Sequence, residues 1–187
     1  MNVRKSAEKR KTERMSDTSF RMMSFFFKIM DFLFPHIDKR VKKFGITKGM
    51  TVVDYGCGPG RYSTRFSELA GETGKVYALD IHDLAIDTVQ QKVKKNGITN
   101  IEAILAKGYD STLPDNTADA VCAIDMFFPI KKPSEFLAEI KRIIKKDGIL
   151  IIDDGHQPRR VTKDKLADSE LWEIIEETKD HLKCKVK

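Results

Sequence analysis

The segment that most constrains this chain is Val52–Gly60, which reads VVDYGCGPG. An apolar run typical of a buried strand leads directly into three glycines at alternate positions, and residues 61–70 after them have the pattern of a helix. Because glycine has no Cβ, such a segment can turn tightly and bring its backbone close to a ligand. We therefore predict a strand, a ligand-binding turn and a helix in this order.

Short apolar strands and amphipathic helices alternate along the chain. The predicted strands are residues 51–55, 75–80, 100–105, 119–124 and 149–153, and the predicted helices are residues 61–70, 83–95 and 133–146. This alternation predicts an α/β fold whose parallel sheet is covered by helices on both faces. Residues 171–177 and 181–186 also resemble strands, but the connection between them is too short for a parallel crossover. We predict a Rossmann-like, mostly parallel sheet of seven strands, with one antiparallel strand in this C-terminal β-hairpin.

Length and charge suggest how the chain is divided. Its 187 residues are enough for one domain with a full core, and residues 1–50 hold thirteen Lys or Arg against five Asp or Glu. We predict a basic, mobile tail over residues 1–15, an N-terminal helical segment over residues 16–44, and a core domain over residues 45–187.

The N-terminal helical segment contains a predicted helix over residues 18–34, which Pro35 ends, and a short helix over residues 36–44. The polar residues of the first helix recur at spacings of three and four, and they are Arg21, Ser24, Lys28 and Asp31. Its other faces are apolar. Three interpretations stay open: a lid over the ligand, a helix packed on the sheet, or a contact with an anionic membrane surface.

The cysteines and the N-terminus predict a cytoplasmic protein without a metal site. Cys57, Cys122 and Cys184 are far apart, with no CxxC spacing and no histidine cluster nearby, so neither a disulfide framework nor a zinc site is indicated. The first residues are mostly polar, which argues against a signal peptide. The apolar run over residues 22–34 is shorter than the roughly 20 residues that a membrane span needs.

Two acidic residues favour S-adenosyl-L-methionine as the ligand. Gly56, Gly58 and Gly60 have the spacing G-x-G-x-G, which differs from the pyrophosphate-binding G-x-G-x-x-G. Asp54 precedes them, and a carboxylate there suits an ammonium group better than a phosphate. Asp80 ends the second strand, where it can accept hydrogen bonds from both ribose hydroxyls. A nicotinamide dehydrogenase is the weaker alternative, because of the glycine spacing and the hairpin.

The sequence resembles the class I S-adenosylmethionine-dependent methyltransferases of the small UbiE-like or type 11 kind, from about Gly45 to the end. The resemblance rests on VVDYGCGPG, on KVYALDIH from residue 75, on LPDNTADAV from residue 113 and on KKDGILIIDD from residue 145. It implies S-adenosyl-L-methionine as cofactor, S-adenosyl-L-homocysteine as product and a fold that ends in a β-hairpin. It also implies that Asp54 and the three glycines hold the methionine portion, that Asp80 holds the ribose and that Ile81 packs on the adenine.

The sequence departs from this family after the third strand. An acidic residue is usual there, near the adenine amino group, whereas this chain has Lys107 and Gly108. Either Asp110 or the backbone amides of Gly108 and Tyr109 would take its place. The complete set of residues predicted to bind the cofactor is Asp54, Tyr55, Gly56, Cys57, Gly58, Gly60, Tyr62, Asp80, Ile81, Gly108, Tyr109, Asp125 and Met126.

The end of the fourth strand is where we expect cofactor and acceptor to meet. Asp125 lies there and is followed by Met126, Phe127 and Phe128. Open α/β sheets bind their ligands at this carboxyl edge. Methyl transfer needs positioning and desolvation, and a general base only where the acceptor must lose a proton. The candidate bases are Asp125, Asp154 and His156.

These residues predict methyl transfer to a small, apolar or aromatic acceptor molecule. One alternative is a methyltransferase acting on RNA or protein, with the basic N-terminus supplying attraction, although no RNA-binding motif supports a nucleic-acid partner. Another is a non-catalytic protein that binds S-adenosyl-L-methionine. The identity of the acceptor and the oligomeric state stay open.

Overall fold

The computed structural model describes residues 13–33 and 37–187. Its strands are β1 (Thr51–Tyr55), β2 (Lys75–Asp80), β3 (Ile101–Leu105), β4 (Ala118–Ala123), β5 (Ile144–Ile152), β6 (Trp172–Glu177) and β7 (Leu182–Val186). Its α-helices are α1 (Asp17–Leu33), α2 (Ile37–Val41), α3 (Arg61–Ala70), α4 (Asp83–Asn96), α5 (Pro133–Ile143) and α6 (Arg159–Asp168), and a 3-10 turn over Lys42–Phe44 extends α2.

All seven strands form one sheet in the order β3-β2-β1-β4-β5-β7-β6. The pairs β1·β2, β1·β4, β2·β3 and β4·β5 are parallel, whereas β7 is antiparallel to both β5 and β6. The predicted seven-stranded sheet with one reversed strand in a C-terminal hairpin is confirmed. The strand order reverses between β1 and β4, and open α/β sheets bind ligands at such a point.

Two apolar clusters cover the two faces of this sheet. On one face, α5 and α6 contribute Phe136, Ile140 and Leu166 to a buried cluster with the central strands. On the other face, Phe66 of α3 and Val89 of α4 pack against the same strands, together with side chains from α2 and the 3-10 turn. The central strands are therefore buried on both sides, which explains why β1 and β4 are nearly continuous apolar runs.

The boundary between α5 and β5 differs from the prediction. We expected the helix to reach Lys146 and the strand to begin at Ile149, but α5 ends at Ile143 and β5 begins at Ile144. Ile144 is buried and pairs with Ala118, and the register then shifts, so that Ala120 pairs with Ile149. Burial of this one apolar side chain and its strand pairing override the helical pattern of the charged residues that follow.

Gly148 therefore lies inside β5. A Cβ at this glycine would come within 2.6 Å of Cγ1 of Ile144. The irregular part of β5 needs a residue without a side chain at this position, because the backbone passes too close to Ile144.

The N-terminal helices are close to the predicted ones. α1 begins one residue before and ends one residue before the predicted bounds, and the Ser16 hydroxyl accepts a hydrogen bond from the amide of Ser19 at 3.2 Å. The predicted tail lies almost wholly outside the described residues, and so do Pro35 and His36. Within residues 13–33 and 37–187, each helix is too short or too polar to cross a bilayer.

Candidate functional site

A pocket opens at the carboxyl ends of β1 and β4, where the strand order reverses. The loops after β1, β2, β3 and β4 all reach it, and α1 forms its roof. Of the residues predicted to bind the cofactor, its wall includes Tyr55, Gly56, Cys57, Gly58, Tyr62, Asp80, Ile81, Gly108, Tyr109, Asp125 and Met126. The sequence pattern thus identified residues from four separate loops that the fold brings together.

The glycine loop after β1 has a backbone that only glycine adopts easily. The φ angles of Gly56, Gly58 and Gly60 are +76°, +50° and +73°. The amides of Gly56 and Cys57 both donate to the carbonyl of Leu79, at 2.8 and 2.9 Å, which fixes the loop against the end of β2. A Cβ on Gly58 would meet its nearest neighbour, Cε of Met23, only at 4.0 Å, so the backbone here faces the cavity.

Asp80 joins two loops at the edge of the pocket. Its Oδ2 accepts a hydrogen bond from the amide of Gly58 at 2.9 Å, and its Oδ1 accepts one from the amide of His82 at 2.8 Å. Burial raises the pKa of this carboxyl, while the two amide donors oppose the rise. Each oxygen can accept a second hydrogen bond, so the carboxylate can still hold a diol such as a ribose.

Asp54 and Gly60 do not form part of the pocket wall. Asp54 is buried beneath the loop, and its Oδ2 accepts a hydrogen bond from Oγ of Ser63 at 2.5 Å. Burial raises the pKa of Asp54 to about 7. A Cβ on Gly60 would come within 2.8 Å of Cγ2 of Val89, so this glycine lets α3 and α4 approach each other. Both residues therefore support the glycine loop from the side away from the pocket.

The loop after β3 brings backbone, and not an acidic side chain, to the pocket. Gly108 and Tyr109 lie on the wall, and Gly108 has a φ of +71° with open space where a Cβ would be. The hydroxyl of Tyr55 donates to the carbonyl of Tyr109 at 2.7 Å, which holds this loop against β1. Asp110 is outside the wall, and its Oδ1 accepts from the amide of Thr112.

Asp125 lies at the centre of a charged cluster at the end of β4. It has a φ of +58°, which is unusual for a residue with a side chain, and its amide donates to Oδ1 of Asp153 at 2.9 Å. Its Oδ2 accepts from the hydroxyl of Tyr62 at 3.1 Å. The strained backbone is held by partners on α3 and at the end of β5, which fixes the carboxylate at the pocket wall.

Arg40 ties this cluster together, and our sequence reasoning missed it. Its guanidinium donates to Tyr62 at 2.7 Å and to Oδ2 of Asp153 at 2.5 Å, and it lies 3.6 Å from Oδ1 of Asp125. It also donates to the carbonyl of Asp180 in the hairpin turn. Burial and the nearby Asp125 raise the pKa of Asp153 to about 6, and Arg40 opposes this. No local sequence signal marked Arg40 or Asp153.

The other two candidate bases lie away from this wall. Asp154 pairs with Nε of Arg159 at 2.8 Å. His156 is exposed, and its ring packs edge-on against Phe128 with the centroids 5.0 Å apart. Neither residue lines the pocket, whereas Asp125 does.

The roof of the pocket is one face of α1, which we call the inner face and which consists of Phe20, Met23 and Phe27. Phe20 is buried, and its ring packs on His82 with the centroids 4.5 Å apart. The guanidinium of Arg61 lies over the ring of Phe27 at 4.2 Å. These aromatic contacts join α1 to the loops after β1 and β2.

A family model described as a methyltransferase domain matches residues 46–185, most of the chain. The chain belongs to this methyltransferase family. The match confirms the predicted methyltransferase family. The predicted class and cofactor are confirmed by the similar S-adenosylmethionine-dependent methyltransferase structure described below. The matched residues run from the approach to β1 to the end of β7, so they include every loop of the pocket wall.

Curated relatives of this methyltransferase include the ubiquinone/menaquinone biosynthesis C-methyltransferase UbiE of Salmonella arizonae and that of Salmonella newport. Each is 28% identical over 132 residues, which cover 70% of this chain and 53% of the relative. The chain therefore spans about half the length of the curated relatives it matches.

Solved structures are similar over nearly the whole methyltransferase. An S-adenosylmethionine-dependent methyltransferase from Aquifex aeolicus has a TM-score of 0.79 at 26% identity, covering 93% of this chain and 100% of that chain. A TehB-like S-adenosylmethionine-dependent methyltransferase from Corynebacterium glutamicum has a TM-score of 0.72 at 16% identity, covering 92% and 100%. At 16% identity, the similarity to the second structure shows a shared fold.

The pocket of this methyltransferase fits its cofactor on geometric grounds. Gly58 and Gly108 present backbone to open space on two sides of the cavity, and a buried carboxylate, Asp80, lies at its edge. Such a combination suits a ligand with hydroxyl groups and a flat apolar ring.

Proposed function

We propose that this chain transfers the methyl group of S-adenosyl-L-methionine to a small, apolar or aromatic acceptor. The observation that carries the proposal is that one pocket combines Asp80 and the glycine loop with large apolar side chains. These side chains are Phe20, Met23, Phe27, Phe128, Ile130 and Phe136. Burial against such a wall favours a ligand without charge. The Salmonella relatives are named for ubiquinone and menaquinone biosynthesis, which supports an acceptor of this kind.

We assign the cofactor to the wall that the four loops form. When bound, S-adenosyl-L-methionine supplies a methyl group on a positively charged sulfur. Asp80 accepts hydrogen bonds from the ribose hydroxyls, and Ile81 packs on the adenine next to the loop of Gly108 and Tyr109. The backbone at Gly56 and Gly58 follows the methionine portion, and Asp54 supports the loop from below. The assignments of the wall residues rest on their position at the cavity, and that of Asp54 rests on its burial beneath the loop.

We assign the role of general base to Asp125 where the acceptor must lose a proton. As the new bond to the methyl carbon forms and the carbon–sulfur bond breaks, the proton of the attacking group has to pass to an acceptor atom nearby. Asp125 lines the pocket, and its side chain is 44% exposed. Tyr62 and Arg40 hold the carboxylate in place, at 3.1 and 3.6 Å. Of the three candidate bases, this is the one on the wall.

We also assign α1 to a cover over the pocket, α2 and the 3-10 turn to helical segments packed on the sheet, and residues 45–187 to the core domain. The inner face of α1 covers the cavity next to the glycine loop, where Cε of Met23 lies 4.0 Å from the Cβ position of Gly58. A cover of this kind excludes water from the reacting groups.

The first experiment compares the thermal stability of the protein with S-adenosyl-L-homocysteine, NAD and ATP. A ligand present at 100 times its dissociation constant stabilises by about 2.7 kcal/mol, which gives a clear rise in Tm. We expect this rise with S-adenosyl-L-homocysteine alone. No rise with this compound would contradict the proposed cofactor site.

The second experiment tests the acceptor with a methyl donor labelled on its transferable methyl group. We expect label to pass to small aromatic or quinone-like acceptors. We expect Asp125→Asn to lower the rate while leaving S-adenosyl-L-homocysteine affinity within about twofold, because the amide keeps the size of the carboxylate but cannot accept the proton. Transfer to RNA or protein alone would overturn the acceptor class. Binding without transfer to any acceptor would favour a non-catalytic protein.

A further inference from the structure

The α1 helix has a second apolar face that points into solvent. We call it the outer face, and it consists of Met22, Phe25, Phe26 and Ile29, with exposures of 71%, 66%, 57% and 42%. These residues recur at spacings of three and four, so they share one side of the helix, opposite the inner face that roofs the pocket. Large exposed apolar side chains are costly in water, and a contiguous group of them marks a contact surface.

Exposed large apolar side chains are concentrated in and directly before α1. Among the residues that the structure describes, the remaining exposed large apolar side chains are Met15, directly before α1, and Ile175 on β6. Five of the six such side chains therefore belong to one short stretch of chain. A general excess of surface apolar residues would be spread over several elements.

Beside the outer face runs a groove with a positively charged wall. This basic groove lies between α1, α2, α3 and α4, and its charged side chains are Lys28, Arg61, Arg65, Lys92, Lys95, Asp38 and Glu68. Both acidic side chains pair with Arg65. These seven side chains together carry a net positive charge, and Lys28 and Lys95 among them are exposed. Phe25 and Lys28 of α1 line this groove, so the charge directly borders the outer face.

We propose that the outer face of α1 and the basic groove form a docking surface for an anionic lipid bilayer. The arrangement matches what an interfacial helix needs, which is an apolar face to enter the acyl boundary and cations at headgroup level beside it. Lys28 and Lys95 are exposed and can reach phosphate groups, while Phe25 and Phe26 insert. The net charge of the protein, +6, favours the same surface.

A bilayer explains both features of this surface, whereas other partners explain only one. An RNA would use the cations but would leave four large apolar side chains in water. A second copy of the chain would cover the apolar face, but it would bring one basic groove against another.

Docking in this orientation would place the pocket next to the lipid. The outer and inner faces belong to the same helix, so when one enters the bilayer surface the other still roofs the pocket. An apolar acceptor dissolved in the membrane would then reach the cavity around α1 without crossing water.

The test is co-sedimentation of the full chain with vesicles, without any cofactor or acceptor. Vesicles of phosphatidylcholine alone are compared with vesicles that also contain phosphatidylglycerol. We expect binding to rise with the phosphatidylglycerol fraction and to fall with added salt. Since each inserted phenylalanine contributes apolar burial, F25S/F26S should weaken binding by roughly tenfold or more.

Two matched controls separate binding through this surface from non-specific binding to vesicles. Ile175→Ser removes an exposed apolar side chain on β6, and we expect vesicle binding to stay unchanged. K28Q/K95Q should weaken binding to anionic vesicles and reduce its salt dependence, whereas K146Q/K187Q, at exposed positions outside the groove, should have a much smaller effect.

Several outcomes would overturn the proposal. Equal binding to both vesicle types, or no binding to either, would exclude an anionic lipid surface. Sedimentation velocity showing a dimer that F25S/F26S dissociates would assign the outer face to a second copy. Salt-sensitive RNA binding that F25S/F26S leaves unchanged, with no vesicle binding, would assign the basic groove to nucleic acid. All of these outcomes are independent of methyl transfer.

Discussion

The amide of Gly58 donates a 2.9 Å hydrogen bond to Oδ2 of Asp80, which connects the loop after β1 to the end of β2. The same carboxylate accepts from the amide of His82 at 2.8 Å. Asp80 therefore holds both loops in position while keeping acceptor capacity for a ligand. Since we propose that Asp80 also binds the ribose of the cofactor, changing it should lower the affinity for the cofactor product as well as the stability of the two loops.

We expect Asp80→Asn to lower the affinity for S-adenosyl-L-homocysteine by roughly tenfold or more, because hydrogen bonds to a charged acceptor contribute about 1.5–3 kcal/mol. Calorimetric titration measures the change. Asp87→Asn, at an exposed position of α4, is the control and should bind as the unmodified protein does. Unchanged affinity in Asp80→Asn would remove the ribose assignment.

Much of this site could be predicted because its signals are local. The glycines after β1 and the acidic residue ending β2 stand in short motifs, and parallel strands bring their carboxyl ends to one edge of the sheet. Arg40 and Asp153 could not be found in this way, since they are 113 residues apart and only the fold brings them together. The start of β5 at Ile144 also depends on a long-range partner, Ala118.

The helix α1 shows a different limit of sequence patterns. The spacing of its polar residues correctly predicted a helix. That spacing does not indicate which of the two apolar faces packs against the protein. The structure places Phe20 inside and Phe26 outside, because only the first reaches His82 and the pocket. The lid and the membrane contact use different faces of α1, and because both faces are apolar, the sequence pattern could not assign either role to a face.

Gly60→Ala should destabilise the protein more than Gly97→Ala does. Both glycines have positive φ, at +73° and +63°, so both substitutions strain the backbone, by about 1–2 kcal/mol. The new Cβ at residue 60 would also lie 2.8 Å from Cγ2 of Val89, whereas nothing lies within 4 Å of the one at residue 97. Overpacking adds roughly 1–3 kcal/mol. Urea denaturation measures the free energy of unfolding of both variants. Equal decreases would mean that α4 moves away from the new Cβ without a loss of stability.

Asp54 should make the protein less stable as the pH rises from about 4 to about 7. Burial raises the pKa of this carboxyl to about 7 in the folded chain, above the value near 4 of an unfolded chain. Between these values the folded state holds the proton more tightly, so the stabilisation that Asp54 contributes is complete below about pH 4 and is lost as the pH rises to about 7.

The measurement is the free energy of unfolding against pH for the unmodified protein and for Asp54→Asn, which cannot ionise. We expect the difference between the two curves to change by at most about 1.4 kcal/mol per pH unit across this window. Asp87→Asn again serves as the control, because its side chain is exposed. Parallel curves for the unmodified protein and Asp54→Asn would show that Asp54 does not titrate in this range.

Arg40→Met should lower the free energy of unfolding by roughly 2–4 kcal/mol, because it leaves the buried Asp153 without its cationic partner. The matched control is Arg160→Met, where the arginine side chain is 84% exposed and pairs with Asp164. Surface pairs contribute about 0–1 kcal/mol, so this variant should be nearly neutral. Similar decreases in the free energy of unfolding for both variants would indicate that the Arg40 cluster stabilises the protein no more than an exposed ion pair does.

The inner face of α1 should control how long the cofactor product stays bound. Phe20 is buried against His82 at the pocket wall, and Phe20→Ala would open the roof beside the loop that Asp80 holds. We expect the dissociation rate of S-adenosyl-L-homocysteine to rise by roughly fivefold to tenfold, with little change in association, since most affinity differences between related complexes appear in dissociation. Surface plasmon resonance measures both rates. Phe26→Ala removes a ring from the outer face of the same helix and should leave them unchanged. If the two variants accelerate dissociation equally, α1 stabilises the bound state through its helical packing as a whole, and the inner face has no separate role as a roof.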